Sequence, residues 1–380
     1  MHNRNPTQAG KFPVGGSLPP LGPTGVLGEA PRTEFGGVLL VGPRGIFDLT
    51  GMDRTPPELK GRSLTTGVTQ PDGSTLLVVD HHEIVVLDRG QVTPLLRSEF
   101  RINAILPLGN GRLLIGTQNA HLFLFERGSL LPVSAFDSVP ERPLFHVPWG
   151  ELAHSPAPEY ARFRSHGGQA DTHSLRQGGD GTLYGCVHVG GAYRSVDGGA
   201  RWSALADISG YANPDSSDPA KLNVDVHDLA VSDSNPKFLA FATRVGTYVS
   251  EDGGDHFELR NNGVPVSDNY QRSVAIIEHD GKRILLRSTC AGPSREQGKL
   301  SRIYRSEDAG VTWSPVIGLP ANDAGHIDTI KPIGGSWVIA LVGTEVFQSI
   351  DCGATWTSIP ELRGTAYTDP LLHIVRPVIL

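Results

Sequence analysis

One eight-residue pattern occurs four times in the second half of this 380-residue chain, and it constrains the fold more than any other feature. Each copy reads S-x-D-x-G-x-x-[WF], with an aromatic residue two positions before the serine. The copies, which we call boxes, begin at Ser195, Ser250, Ser306 and Ser349. A spacing of roughly 43 to 56 residues is typical of propeller blades and solenoid arrays. The chain is therefore predicted to be an all-β repeat protein.

The residues of a box suit a β-hairpin turn. In the first copy, the Asp197 carboxylate can accept backbone N–H groups of the turn, and Gly199 can supply a positive φ. Trp202 can then pack beneath the hairpin from the next strand. These roles explain the residue types and their spacing without any catalysis. We interpret the repeated aspartates as structural rather than catalytic.

The four boxes resemble the Asp-boxes of the sialidase and BNR-repeat superfamily, whose members are six- or seven-bladed β-propellers. The resemblance covers only the second half of the chain. It implies that each box lies on the turn between the third and fourth strands of a blade, on the face opposite the active site. A scaffolding role is what the resemblance implies for the boxes here.

The first half of the chain has no box but keeps the strand rhythm. Apolar runs at residues 37–49, 75–87 and 112–125 are typical of hairpins. Together with the boxes they predict a single β-propeller over residues 31–380, with seven four-stranded antiparallel blades; six or eight blades are the alternatives. Residues 371–376 are expected to complete the first blade and close the ring. Residues 1–30 are expected to form a flexible arm.

Composition excludes several classes of partner. The net charge is -7 and no run of Lys or Arg occurs, which argues against nucleic acid. No segment approaches the roughly 18 apolar residues of a membrane span. The three cysteines have no paired spacing, and the N-terminus has no apolar signal region. These features predict a cytoplasmic protein without a disulfide framework.

Loop lengths predict which face of the propeller carries a site. In a propeller the loop before the innermost strand of a blade shares a face with the loop between its second and third strands. We call this the mouth face and the opposite one, with the boxes, the turn face. The longest predicted connections all lie on the mouth face, at residues 136–170, 207–224, 261–272 and 289–300. Loops of this length usually serve a function.

Candidate site residues cluster at the starts of predicted inner strands. Residues 171–175 and 225–229 both read D-x-H-x-L, and residues 326–330 repeat the pattern with His and Asp exchanged. Strand alternation would place the first, third and fifth residues of each pattern on one face. The predicted metal ligands are His173, His227 and His188. The predicted catalytic residues are Asp171, Asp225, Asp328 and Arg244.

These residues favour an enzyme that uses zinc, iron or copper to act on a small molecule, with an anionic substrate suited to Arg244. A simpler interpretation is that polar residues line a wet channel. One alternative function is a non-catalytic propeller that binds a protein partner, as the resemblance to photosystem-assembly members of the superfamily allows. Another is a sialidase-like glycoside hydrolase. That family's F-R-I-P motif has only a partial counterpart in residues 100–103, which read F-R-I-N.

Overall fold

The structure of the protein is a computed structural model. It describes residues 38–42, 44–141, 172–188, 190–206, 216–292, 301–319, 327, 329–342, 345–362 and 373–375. The predicted arm, residues 1–30, lies outside this set, as do Asp171 and Asp328. Within the described ranges, no helix is long and apolar enough to cross a membrane.

The strands form seven antiparallel sheets, numbered here as blades 1 to 7 along the chain. Blade 1 begins with β1 (Leu39–Gly42) and β2 (Gly45–Asp48). Blade 2 contains β3 (Leu64–Thr69), β4 (Thr75–Val79), β5 (Glu83–Asp88) and β6 (Gln91–Arg97). Blade 3 contains β7 (Ile102–Gly109), β8 (Arg112–Thr117), β9 (Leu122–Glu126) and β10 (Ser129–Pro132), and the short helix α1 (Ser134–Asp137) follows it.

The remaining blades each carry a box. Blade 4 contains β11 (Thr172–Gln177), β12 (Leu183–Val187), β13 (Gly191–Ser195) and β14 (Ser203–Ala204). Blade 5 contains β15 (Val226–Val231), β16 (Leu239–Thr243), β17 (Gly246–Ser250) and β18 (Glu258–Leu259). Blade 6 contains β19 (Val274–His279), β20 (Lys282–Thr289), β21 (Arg302–Ser306) and β22 (Ser314–Pro315). Blade 7 contains β23 (Thr329–Gly334), β24 (Trp337–Val342), β25 (Glu345–Ser349) and β26 (Thr357–Ser358).

The two ends of the chain meet in blade 1. The last strand, β27 (His373–Val375), pairs with β1 so that Ile374 lies opposite Leu40. Among the described residues, blade 1 therefore has three strands, whereas the other six blades have four. The fold is the predicted all-β propeller of antiparallel blades, with six complete blades and a three-stranded sheet made from both termini. Pairing of the two ends removes a pair of exposed sheet edges.

Apolar contacts between neighbouring blades form the core and run around the whole ring. Second strands such as β4 and β24 are apolar along their length because both of their faces are buried. Leu77 packs toward blade 1 and Val78 toward blade 3, as alternation requires. Ile339 of blade 7 joins blade 1 in the same way and completes the circuit. The innermost strands contact one another from β3 through β23 and surround the central channel.

Each box forms the turn between the third and fourth strands of its blade. In blade 6, the backbone N–H of Gly310 donates to Ser306 Oγ at 2.8 Å, and Ser306 Oγ donates to Asp308 Oδ1 at 2.7 Å. The backbone N–H of Thr312 also donates to Asp308 Oδ1, at 2.8 Å. The other three boxes repeat this arrangement. The aspartates thus have the turn-forming role expected from the sequence.

A candidate metal centre on the mouth face

Three of the predicted site residues meet where blades 4, 5 and 6 adjoin at the mouth face. His188 directly follows β12, and Asp225 and His227 lie at the start of β15. His188 Nε2 lies 3.7 Å from Asp225 Oδ1. His227 Nε2 lies 3.2 Å from the same oxygen. Residues from two blades therefore converge on one carboxylate.

A β-bulge directs His227 into this cluster. The register of β15 against β16 shifts between Val226 and Asp228, and bulges of this kind re-aim a side chain. Val226 and Leu229, three positions apart, enter the same apolar cluster. The strict alternation expected from D-x-H-x-L therefore fails here. His227 is only 3% exposed, because its side chain lies between blades 5 and 6 rather than in open solvent.

The hydrogen bonds of His227 place one hydrogen on its imidazole. Nδ1 lies 2.5 Å from the backbone oxygen of Gln271. A carbonyl oxygen only accepts, so Nδ1 carries a hydrogen. In a neutral ring Nε2 then holds a lone pair, which faces Asp225 Oδ1 at 3.2 Å. Two electron-rich atoms at this distance repel each other unless a positive charge, a proton or a metal ion, lies between them.

Asp225 is held in place, and one of its oxygens faces both histidines. Its backbone N–H donates to Asn223 Oδ1 at 2.8 Å, and its carbonyl accepts from the backbone N–H of Arg244 at 3.1 Å. The Oδ1 atom is buried and lies 3.2 Å from His227 Nε2 and 3.7 Å from His188 Nε2. Burial opposes the charge of Asp225, but His227, His188 and Arg244 outweigh it and hold the pKa well below its usual range. The carboxylate is thus ionised and able to bind a cation.

Arg244 and Tyr270 complete the surroundings of the cluster. Arg244 Nη1 lies 3.6 Å from Asp225 Oδ2, and its side chain is 16% exposed. The Tyr270 hydroxyl lies 3.3 Å from His227 Nε2, and the two rings are 4.9 Å apart. Arg244 and Arg272 both lie over the Tyr270 ring, at 6.0 and 5.8 Å from its centroid. Two guanidinium groups therefore flank the three candidate ligands.

The donor set fits a transition-metal ion. The ligand atoms of His188, Asp225 and His227 all lie within 4.8 Å of one another. Ligands at about 2.0–2.2 Å from a tetrahedral ion are roughly 3.3 Å apart, close to two of the three separations. The Nδ1–H of His227 donates to a backbone carbonyl, an arrangement that commonly orients metal-binding histidines. Two imidazoles and one carboxylate would leave a fourth position for water or substrate.

The structure covers the predicted site only in part. His173 lies at a bulge in β11, between Thr172 and Ser174, in a position equivalent to that of His227 in β15. The structure does not describe the side chain of His173. Asp171 and Asp328 are likewise not described, nor are residues 142–171, 207–215 and 293–300 of the long loops. Arg244 lies beside Asp225, as a residue of the predicted site should.

Sequence reasoning missed Tyr270 and Gln271. Both precede β19, in the place that Asp225 holds before β15. Comparison of equivalent positions before each inner strand could have identified Tyr270. The contribution of Gln271 is its backbone carbonyl, which no side-chain pattern reveals.

Comparisons with known proteins support the fold. No protein-family profile matches the chain. A xyloglucanase from Paenibacillus sp is 26% identical over 222 residues, which cover 47% of this chain and 20% of that enzyme. An ancestral GH74 enzyme superposes with a TM-score of 0.53 at 13% identity, over 75% of this chain and 34% of the other.

Two further solved structures are similar. The GH74 xyloglucanase from Xanthomonas campestris has a TM-score of 0.52 at 16% identity, over 78% of this chain and 45% of the other. YCF48 bound to D1 peptide has a TM-score of 0.53 at 15% identity, over 80% of this chain and 83% of the other. The chain thus spans a fifth of the curated enzyme and less than half of the GH74 structures. At these identities the structural likenesses establish a β-propeller fold.

Proposed function

We propose that the protein is a metal-dependent enzyme that acts on a small anionic molecule at the mouth face, and that His188, Asp225 and His227 bind its metal ion. The approach of His227 Nε2 to the buried Asp225 Oδ1, at 3.2 Å, carries the proposal. A divalent ion between these atoms would remove their repulsion and bind Oδ1. Zinc, iron and copper all accept this mixture of imidazole and carboxylate ligands.

The surrounding residues suit an anionic substrate. A bound metal ion would polarise an oxygen of the substrate from the fourth position. Arg244 is partly exposed beside Asp225, so its guanidinium can bind the negative charge of the substrate. Tyr270 is buried with its ring 4.9 Å from that of His227, and this packing would hold the imidazole in place. Burial raises the pKa of Tyr270 well above its usual range, so its hydroxyl stays protonated at neutral pH.

Cobalt(II) binding tests the proposed ligands. Chelator-treated protein is titrated with Co²⁺ and the visible absorption bands of the bound ion are recorded. Wild type should bind one equivalent, and His227→Ala and His188→Ala should weaken binding by at least about 100-fold. His256→Ala is the matched control, because His256 is an exposed histidine that contacts box residue Asp252. Wild-type protein without specific Co²⁺ binding, or His227→Ala with unchanged affinity, would refute the proposal.

Azide tests the role of Arg244. This small anion changes the spectrum of Co²⁺ when it enters an open coordination position. Arg244→Met should keep the bound Co²⁺ but weaken azide binding by about tenfold, since it removes one charge-assisted contact. Equal azide affinity in wild type and Arg244→Met would show that Arg244 does not bind the anion.

A second candidate function is a propeller that binds a peptide or protein. The likeness to YCF48 bound to D1 peptide favours it, because the chain spans 83% of that structure. Glycoside hydrolysis has weaker support. The similarity to a xyloglucanase suggests a carbohydrate ligand, but the usual mechanism needs two carboxylates, and the described cluster contains only Asp225. Specific peptide binding by metal-free protein and by His227→Ala would favour the second candidate.

The geometry of the boxes supports placing the chain with the BNR-repeat propellers. Their serine and aspartate side chains bond within the turn in all four copies. We therefore assign these repeats to the scaffold and the chemistry to the opposite face.

A further inference from the structure

Arg287 is a buried arginine in β20, at a position where the other boxed blades have uncharged residues. Its exposed fraction is 0%. It pairs with Tyr304, the aromatic residue two positions before the box serine. The residues that pair with this aromatic in blades 4, 5 and 7 are Gly185, Phe241 and Ala340. The fold of a boxed blade therefore does not require a cation at this position.

The burial of this charge is not offset by an ion pair within the described ranges, where the hydrogen-bond partners of Arg287 are neutral. Its Nη1 lies 2.8 Å from Asn261 Oδ1 and 3.0 Å from Thr247 Oγ1, and its Nη2 lies 3.4 Å from Asn269 Oδ1. Burial lowers the pKa of Arg287 to about 9, so the guanidinium keeps its charge at neutral pH. Because a buried charge without a counterion is costly, we looked for a role in the residues that this charge holds.

Gln271 joins Arg287 to the candidate metal centre. It is 0% exposed. In the orientation that satisfies both polar atoms of its amide, the side-chain oxygen accepts from Arg287 Nη1 and from the backbone N–H of Thr247, each at 3.0 Å. The backbone oxygen of Gln271 lies 2.5 Å from His227 Nδ1, to which it is hydrogen-bonded. A single residue thus connects the buried guanidinium with one of the proposed metal ligands.

The same guanidinium holds the connection between β18 and β19 at three positions. Asn261 stands at its start, and Asn269 and Gln271 stand near its end. The planar fork of an arginine presents several donors in fixed directions, which the single ammonium group of a lysine does not. The backbone of this connection is therefore fixed where its carbonyl meets His227.

The position of the Gln271 carbonyl decides which nitrogen of His227 is free to bind a metal ion. With the hydrogen on Nδ1, the lone pair of Nε2 is available. Without this acceptor, the ring can carry its hydrogen on Nε2 and donate it to Asp225 Oδ1, which lies 3.2 Å away. That hydrogen bond would occupy the place of the metal ion.

We propose that Arg287 is a positioning residue of the candidate metal centre and acts through Gln271 to keep His227 Nε2 available to a metal ion. Its effect on metal affinity rests on the proposed function. Its effect on the hydrogen bond of His227 needs no metal ion, so the two can be tested separately.

NMR of metal-free protein with 15N-labelled histidine tests the hydrogen bond. The His227 ring is only 3% exposed, so its Nδ1 proton should exchange slowly and give a resonance that is missing from His227→Ala. Arg287→Met and Gln271→Ala should each lose this resonance. Gln271→Glu should retain it, because a carboxylate oxygen can still accept from Arg287.

Arg305→Met is the matched control, and it should keep the resonance. Arg305 also belongs to blade 6, its side chain is 16% exposed, and it donates to the Cys352 oxygen at 2.9 Å. Circular dichroism establishes that each variant is folded, and Gln271→Ala decides the question if Arg287→Met does not fold.

Cobalt(II) titration then measures the consequence for metal binding. Arg287→Met and Gln271→Ala should weaken Co²⁺ binding by about 10- to 100-fold, and Arg305→Met should leave it unchanged. Wild type that binds no Co²⁺ would refute the metal centre, and the NMR result would still decide whether Arg287 positions His227. The proposal would be overturned by a wild type without the Nδ1 resonance, by an unchanged resonance in folded Arg287→Met or Gln271→Ala, or by its loss from Arg305→Met or Gln271→Glu.

Discussion

Blades 2 and 3 are built differently from blades 4 to 7. In blades 2 and 3, a two-residue turn joins the third and fourth strands, and both of its residues have positive φ: Arg89 and Gly90 in one, Arg127 and Gly128 in the other. The fourth strands, β6 and β10, have seven and four residues. Each fourth strand of the boxed blades has only two residues. The boxed blades therefore have far less backbone pairing at the outer edge.

Side chains replace that pairing in the boxed blades. The box serine and aspartate bond within the turn, and an aromatic residue such as Trp313 is buried beneath it. Arginines also link successive blades: Arg194 donates to the Gly253 oxygen at 2.7 Å, and Arg305 to the Cys352 oxygen at 2.9 Å. Stability in this half therefore depends on a few side chains. The same half carries the candidate metal centre.

Loss of the aromatic residue of a box should have the largest effect on stability. Trp313 is 3% exposed, its Nε1 donates to the Arg260 oxygen at 3.0 Å, and Arg287 lies 4.7 Å from its ring centroid. Trp313→Ala should lower the free energy of unfolding by about 3–5 kcal/mol, measured by urea denaturation. Phe257→Ala, at a partly buried box aromatic, should cost less. Equal losses would show that the burial of the aromatic does not determine its contribution.

Glycine replacement distinguishes the two kinds of turn. Gly353 in a box and Gly90 in a two-residue turn both have φ of +80°. A Cβ at Gly353 would lie 2.6 Å from Leu286 Cδ2, whereas a Cβ at Gly90 would have no surrounding atom within 4 Å. Gly90→Ala should cost about 1–2 kcal/mol for the left-handed backbone alone. Gly353→Ala should cost a further 1–3 kcal/mol or so for overpacking. Equal melting temperatures for the two variants would contradict this comparison.

The box aspartates should contribute a pH-dependent part of the stability. Burial opposes the charge of Asp308, but bonds from Thr312 and Ser306 outweigh it and lower its pKa below 3.8. A carboxylate whose pKa is lower in the folded state than in the unfolded state stabilises the folded state at pH values above the unfolded-state pKa. This contribution disappears as the pH falls through the folded-state pKa. Asp308→Asn should cost about 1 kcal/mol at neutral pH, and the difference from wild type should shrink below pH 3.8.

Asp88→Asn is the control for this measurement, because Asp88 is an exposed carboxylate on the unboxed blade 2. Urea denaturation between neutral and acid pH should give nearly parallel curves for this variant and wild type. A constant Asp308→Asn difference over the same range would show that the charge of Asp308 does not contribute.

Lys331 should affect stability only at alkaline pH. Its surroundings lower the folded pKa from 10.5 to about 8, so the unfolded chain holds the proton more tightly. The free energy of unfolding therefore rises as the pH increases from the folded-state pKa to the unfolded-state pKa. Lys331→Met lacks this titration, so wild type should gain stability relative to the variant between pH 8 and 10.5. A constant difference in denaturation midpoint would show that the surroundings of Lys331 do not lower its pKa.

The boxes were predictable from the sequence because every hydrogen bond of the turn joins residues within four positions of each other. The inner-strand histidine was recognisable as a candidate for the same reason, since D-x-H-x-L is local. Its orientation was not predictable. The bulge between Val226 and Asp228 depends on pairing with β16, and the Gln271 carbonyl that orients His227 comes from 44 residues away. Contacts between blades, unlike turns, leave no pattern in a single sequence.

Anomalous X-ray diffraction from zinc-soaked crystals can show whether a metal ion binds at the three proposed ligands. We expect one strong peak at the zinc edge about 2.0–2.2 Å from His188 Nε2, His227 Nε2 and Asp225 Oδ1, absent from crystals of His227→Ala. A fully soaked wild-type crystal with no peak at this place, or with zinc bound only elsewhere, would refute the metal centre and leave the cluster as a hydrogen-bonded junction between blades.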